Sequence, residues 1–329
     1  MARAVKLAKR GPIANPNPRV GAVILNEQGQ VIGEGWHQGA GTQHAEVMAM
    51  SDARSKGYDL RSSTIVVTLE PCNHRGFTPP CAETIVASGI GSVVYAVSDP
   101  GAISGGGAET LRANGISTQQ FPYRSAEKLV RIWAAAISAA RPYVTLKLAT
   151  TLDGYVAAAD GTSQWITCPA SRLHAHKFRA KVGAIAVTTG TVLADDPALT
   201  ARTPDDSLAA SQPLAVVIGQ REIPQSAKLR QAPGGFLHFR THDVAEVLTE
   251  LNRRGIRHLL VEGGPALASS MLAAGCVDEI HAYVAPKILG EGKTAVGPFG
   301  VMTLAEAAVF ETKTVKQLGN DVFVAARAG

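Results

Sequence analysis

Three side chains that must meet at one point constrain this chain more than any other feature. His44-Ala45-Glu46 and the run Glu70-Pro71-Cys72-Asn73-His74-Arg75-Gly76-Phe77-Thr78-Pro79-Pro80-Cys81 supply one imidazole and two thiols. That is the number of protein ligands that leaves a zinc ion its fourth position for water. Glu46 follows the His by two residues, where a carboxylate can handle the proton of that water. The competing readings are a structural zinc closed by a fourth protein ligand, for which His74 would have to turn inward, and an incidental Cys pair. Any fold that serves either zinc reading must bring residues 44, 72 and 81 together.

The surrounding pattern predicts how. A helix over residues 3–10 stops at Gly11-Pro12, and Asn15-Pro16-Asn17-Pro18 is turn-forming. Val20–Leu25 and Val31–Trp36 read as a hairpin around Glu27-Gln28-Gly29-Gln30. Helix is expected from Ala45 to Ala53, strand from Ile65 to Leu69, helix from Ala82 to Ser88 and strand from Val93 to Val97. This alternation implies a sheet with helices on its faces. It puts His44 and Glu46 on the first turn of one helix and Cys81 at the start of another, where the positive helix end favours thiolate.

A helix over 124–141, with Leu129, Ile132, Trp133, Ala136 and Ile137 on one face, leads to a boundary at Arg141-Pro142. Two domains, 1–141 and 142–329, follow from the length of 329 residues. The second opens on an alternating strand in which Val144, Leu146 and Leu148 point one way and Thr145 and Lys147 the other. Further strands are expected at 184–188, 214–218, 259–262, 279–286 and 322–326, with helices near 169–181, 243–254 and 265–274. Leu260-Val261-Glu262-Gly263-Gly264-Pro265 before an Ala-rich helix has the form of a phosphate cradle. A plain tight turn explains the same glycines. The full Gly-x-Gly-x-x-Gly fingerprint is absent, so an ordinary Rossmann domain is not supported.

The chain holds four Cys, too few for a disulfide framework at this length; Cys168 and Cys276 read as small buried side chains. No apolar run is long enough to span a bilayer, and the opening residues read as an amphipathic helix and not a targeting peptide. A cytoplasmic enzyme with no membrane partner is expected. Residues 1–141 carry 14 Lys and Arg against 10 Asp and Glu, and the remainder 18 against 17. That mild excess, without a dense basic cluster, suits a phosphorylated small molecule and not nucleic acid.

A His-x-Glu element with a later Pro-Cys is the zinc-deaminase pattern, but here Cys81 lies nine residues after Cys72. With Asn15-Pro16-Asn17-Pro18-x-Val20-Gly21, His44-Ala45-Glu46-Val47 and the closing Thr78-Pro79-Pro80-Cys81, that long loop resembles the deaminase half of the bifunctional riboflavin-biosynthesis deaminase/reductase family. Leu152-Asp153-Gly154, Ser163-Gln164-Trp165-Ile166-Thr167 and the stretch from Thr189 to Thr200 resemble its reductase half. The resemblance implies a cytidine-deaminase-like three-layer α/β/α domain followed by a dihydrofolate-reductase-like α/β domain.

It further implies zinc on His44, Cys72 and Cys81, with Glu46 as proton carrier and Asn17 and His37 lining the pyrimidine or ribose pocket. Arg75 would take the place of the basic residue that many relatives carry where this chain has Phe77. NADPH would contact Ala149, Trp165, Thr191 and Asp195, together with Gly264, Pro265, Ala266, Leu267, Ala268, Ser269 and Ser270. Substrate would contact Ser163, Arg179, Leu199, Arg202 and Glu262, the two arginines as forked donors to phosphate. Lys147 and Glu262 are the candidate proton donors for reduction of the ribosyl chain. A homo-oligomer is implied as well. The competing expectations are a nucleoside, base or tRNA deaminase with an unrelated second domain, a zinc-stabilised binding module, and a family member that has lost one activity.

Overall fold

The computed structural model describes residues 1–75 and 79–329. The chain divides into two compact units, Met1–Ala140 and Arg141–Gly329.

In the first unit the elements are α1 (Ala2–Ala8), β1 (Gly21–Leu25), β2 (Val31–Trp36), α2 (Ala45–Ser55), β3 (Thr64–Leu69), α3 (Cys81–Ser88), β4 (Ser92–Val97), α4 (Gly107–Ala113), β5 (Ser117–Gln120) and α5 (Arg124–Ser138). The strands form one sheet in the order β2-β1-β3-β4-β5. β1 runs antiparallel to β2 and β3, and β3, β4 and β5 are parallel. The β1–β2 turn is built by Asn26, whose Oδ1 accepts from the amides of Gln28 and Gln30, and Gly29 takes the left-handed conformation that lets the chain reverse.

Buried side chains separate the two faces of this sheet. Ala45, Ala49 and Ala53 of α2, Ile85 of α3 and Leu111 of α4 pack with Ile24, Ile65, Val67 and Val93. On the other face Ala4 and Leu7 of α1 meet Val23, while Val5 and Ala126 of α5 meet Ala96. The result is three layers. α5 buries Ala126, Val130 and Ala136, with Trp133 partly covered; of the expected face, Ala136 and Trp133 pack inward, whereas Leu129, Ile132 and Ile137 are only half-buried. It ends at Ser138, three residues before the expected limit; Ala140 is left-handed (φ +50°) just ahead of Arg141-Pro142. α4 and β5 were not expected, because Gly105-Gly106-Gly107 hides a helix start and Ser117–Gln120 is nearly all polar.

The second unit contains β6 (Tyr143–Thr151), β7 (Tyr155–Ala158), α6 (Pro169–Arg179), β8 (Ala184–Thr188), α7 (Thr189–Asp195), β9 (Leu214–Ile218), β10 (Phe236–Phe239), α8 (Val244–Arg253), β11 (His258–Val261), α9 (Pro265–Ala273), β12 (Glu279–Ala285), β13 (Gly292–Thr294), β14 (Phe310–Leu318) and β15 (Asp321–Ala328). The large sheet has the order β10-β9-β8-β11-β6-β12-β15-β14, and β13 pairs with β7 separately. Strands β10 to β12 along that order are parallel, then β15 and β14 turn antiparallel.

The alternation expected of β6 is present. Val144 and Leu146 are fully buried with Val247 and Leu251 of α8 and Met271 of α9. The opposite face packs Ile185, Val187 and Leu260 against Val192 of α7 and Phe178 of α6. Lys147 and Glu262 emerge on that second face, where the covering helices leave room.

Candidate active sites

In the first unit, Pro80 and His44 end their loops as the N-caps of α3 and α2, which puts Cys81 and Glu46 into the first helical turns. Cys72 sits in the loop after β3. His44 Nδ1 lies 3.4 Å from Cys72 Sγ and 3.3 Å from Cys81 Sγ. The three donor atoms all fall within 4.8 Å of one another. Cys81 N–H points at Cys72 Sγ at 3.4 Å. The Cys72 thiol is held down to about 4 by hydrogen bonding from Cys81 and by His44, against the effect of burial. That thiolate and burial push Cys81 well up. The pair therefore shares a proton that a soft cation would displace, and one nitrogen with two sulfurs is a donor set zinc accepts. His74 is not part of this group, so the closed four-ligand alternative finds no support among the described residues.

Glu46 is 3% exposed. Burial pushes its carboxyl up to about 7, His44 opposing and Cys72 reinforcing; a divalent cation nearby would draw the value down again. His37 stands edge-on to His44, with ring centroids 5.2 Å apart. Its Nδ1 is 3.1 Å from the carbonyl of Gln43 and its Nε2 is 3.1 Å from Asn17 Nδ2. Those partners assign the neutral tautomer with the proton on Nδ1, and burial lowers the ring's pKa accordingly. Asn17 and His37, expected to line one pocket, are thus locked together beside the triad. Arg75 is exposed and reaches Glu83 at 3.5 Å. Phe77, on which its expected role turned, lies outside the described residues.

In the second unit a cavity of about 720 Å³ opens on the α6 side of the sheet. Lys147, Ala149, Ser163, Trp165 and Thr191 contribute to its wall, as do Arg179, Asp195, Leu199, Arg202 and Glu262. Residues 264–270 do not. Gly264 is the N-cap of α9, and a Cβ there would meet nothing within 4 Å, so the approach to the helix start is open. Pro265 has no amide hydrogen, whereas Leu267 and Ala268 are buried in the core. Any contact this segment makes with a ligand must come from main chain or from exposed atoms. Ser269 Oγ is buried without a hydrogen-bond partner among the described residues, and Ser270 Oγ returns to the carbonyl of Ala266.

The fork of Arg179 has partners within the protein: Nε and Nη2 donate to Glu262 at 2.8 and 2.7 Å, and Nη1 donates to the carbonyl of Thr200 at 3.0 Å. Lys147 Nζ is 3.9 Å from the same carboxylate. Burial alone would lift Glu262, but the charges of Arg179 and Lys147 outweigh it and hold the carboxyl at about 2. Burial lowers Lys147. Arg202 Nη1 donates to the carbonyl of the exposed Asp206 at 2.6 Å and lies 3.3 Å from its carboxylate. Trp165 is 62% exposed and stacks under Arg172, whose guanidinium carbon lies 4.5 Å from the ring centre. The sequence reading missed His176, which also lines the cavity with its Nδ1 buried and lacking a hydrogen bond of its own among the described residues. Its spacing of three residues from Arg179 on α6 was the available signal.

Comparison with known proteins agrees with both halves. The family described as RibD C-terminal domain matches residues 142–324, and the cytidine and deoxycytidylate deaminase zinc-binding region matches residues 1–97. A second domain of unrelated kind is thereby not favoured. The chain is 45% identical to the riboflavin biosynthesis protein RibD of Mycobacterium tuberculosis, over 94% of this chain and 90% of that one. The solved structure of Acinetobacter baumannii RibD superposes with a TM-score of 0.87 at 34% identity, covering 100% and 97% of the two chains. That of the Thermotoga maritima diaminohydroxyphosphoribosylaminopyrimidine deaminase/5-amino-6-(5-phosphoribosylamino)uracil reductase gives 0.84 at 34% identity, with the same coverage.

Proposed function

Because the chain belongs to the RibD family of riboflavin biosynthesis proteins, we propose that its two halves divide the family's two reactions at residues 141/142 and that the side chains described above carry them. The protein is a bifunctional enzyme, a zinc-dependent deaminase joined to an NADPH-dependent reductase. Its substrate is a phosphorylated pyrimidine, taken here to be 2,5-diamino-6-(5-phosphoribosylamino)pyrimidin-4-one. The end product is then 5-amino-6-(5-phosphoribitylamino)uracil.

The observation that carries the first half is the convergence of His44, Cys72 and Cys81 beside buried Glu46. Zinc held by those three residues supplies a Lewis acid that brings the pKa of a water toward neutrality. Glu46 accepts the proton the attacking water gives up and delivers it to the departing amine, a dual role that suits a carboxyl buried beside the three donor atoms. Asn17 and His37, fixed by their mutual hydrogen bond, orient the pyrimidine. Arg75 supplies positive charge for the phosphate.

In the second half NADPH supplies the hydride that converts the ribosyl chain to ribityl. Ala149, Trp165, Thr191, Asp195 and the start of α9 hold the cofactor, and Ser163, Leu199 and Arg202 hold substrate. Of the two candidate proton donors, Lys147 is favoured, because Glu262 is ionised near neutral pH and has no proton to give. Glu262 is kept ionised by Arg179 and serves to hold both cationic side chains in place. Arg202, more than Arg179, is the group available to the phosphate.

The test is a paired assay on purified, zinc-analysed protein. Ammonia release from the diaminopyrimidine ribotide is followed first, then NADPH oxidation. Both signals are expected, and Glu46→Gln should abolish the first while pre-deaminated substrate still supports the second. NADPH oxidation that appears only with pre-deaminated substrate in the unmutated protein would remove the deaminase assignment.

A further inference from the structure

We propose that Glu70 is a positioning residue for the metal centre, a buried carboxylate that fixes Cys72 without touching the ion. The inference rests on the reading of His44, Cys72 and Cys81 as the zinc site. Glu70 leaves β3 two residues before Cys72 and is 7% exposed. Its amide donates to the carbonyl of Val97 at 2.8 Å, so the backbone is tied to the end of β4. Its carboxylate is split between two main-chain donors. Oε2 accepts from Asp99 N–H at 3.0 Å, and Oε1 accepts from Ala108 N–H, at the start of α4, at 2.9 Å.

The residues that follow are clasped from the same side. A Cβ on Gly107 would lie 1.7 Å from the carbonyl oxygen of Pro71, so α4 approaches this loop as closely as backbone allows. Asn73 N–H donates to the carbonyl of Ser104 at 2.8 Å. Asp99 shapes the turn that presents that carbonyl, accepting from Gly101 N–H and Ser104 Oγ at 2.8 and 3.0 Å. From the other side Cys72 is held by α3, through Ala82 N–H on its carbonyl at 3.1 Å and Cys81 N–H on its sulfur. The thiolate thus sits between two helix starts, and Glu70 anchors the one that supplies no ligand.

Only a carboxylate suits this position. Both of its oxygens face N–H donors, whereas a Gln would turn an NH₂ toward one of them. Gly105-Gly106-Gly107 acquires a purpose as well, allowing α4 to come close enough for its first amides to reach Glu70.

The test is zinc affinity of the full-length protein, measured by competition with a chromophoric chelator, alongside the absorption spectrum of the cobalt-substituted protein. Glu70→Gln is expected to weaken zinc about tenfold, the lower end of what outer-shell partners contribute, and to alter the thiolate-to-cobalt band. Ile24→Val, which trims the core far from this loop, should lower the melting temperature with neither effect. Wild-type affinity and spectrum in Glu70→Gln would overturn the proposal, as would equal weakening in Ile24→Val. If Glu70→Gln does not fold, Glu70→Asp keeps the charge, loses the reach and must still weaken zinc. A wild-type chain that binds no zinc would remove the metal reading and this proposal together, a result distinct from either of the others.

Discussion

Arg179 and Glu262 meet side by side, two N–H groups on two carboxylate oxygens at 2.8 and 2.7 Å, although their side chains come from a helix and from the loop after a strand 83 residues on. The pair is mostly buried, at 18% and 7% side-chain exposure. Such a pair is a commitment: removing one partner strands the other as a buried charge.

Glu262→Gln should therefore destabilise the second unit at neutral pH, by about 3–5 kcal/mol if the stranded guanidinium finds no new partner. The pH dependence has a definite sign. The carboxyl is held at about 2 in the fold against an ordinary value of 4.5. Its stabilising contribution is therefore complete above 4.5 and disappears as the pH falls toward 2, amounting to on the order of 3 kcal/mol. Urea unfolding of wild type and Glu262→Gln at pH 6 and pH 2.5 checks this. The gap between them should narrow at the lower pH, and a constant gap would contradict it.

Lys147→Met should depress the reductase step by about 100-fold or more, the scale of a lost general acid, and leave ammonia release untouched. Single-turnover NADPH oxidation is the measurement. A full wild-type rate would remove Lys147 as proton donor.

Zinc removal should act on one unit only. With zinc present at a hundred times its Kd, the first unit gains about 2.7 kcal/mol relative to the metal-free protein. Calorimetry after chelation should show one transition moving down and returning on zinc addition, while NADPH oxidation with pre-deaminated substrate persists.

Arg75→Ala should raise the deaminase KM for the phosphorylated substrate by about tenfold, the worth of a charge-assisted hydrogen bond at the lower end, with little change in kcat. An unchanged KM would return Arg75 to the role of a surface partner of Glu83.

The metal triad was legible because its chemistry is written in residue type and spacing: His44 and Cys81 fall at helix starts that the apolar pattern already marks. The alternation of Val144, Leu146 and Leu148 against Lys147 likewise announced which face of β6 turns toward the cavity. What the sequence concealed are partnerships chosen by three-dimensional proximity. Nothing local to Arg179 says that its fork is filled by a carboxylate from beyond β11. Nothing local to Glu70 says that its oxygens will meet the amides of Asp99 and Ala108. α4 and β5 escaped for a different reason. A helix opened by glycines and an edge strand of polar residues draw their stability from packing and pairing, and carry little propensity of their own.

Thr145 on β6 and His258 on β11 share a hydrogen bond across 113 residues of chain, and the sheet neighbours of β6 are β11 and β12. On a ribosome, the strand that opens the second unit emerges long before any strand it can pair with. The ligands of the metal centre, by contrast, are all synthesised by residue 81. The first unit can close and take up its ion while the second is still an incomplete sheet with an unpaired apolar strand at its start, and loop closure over that distance is slow. The order of the two active sites along the chain is therefore also an order in which they can assemble, and while β6 waits for its neighbours an apolar strand stands without its sheet.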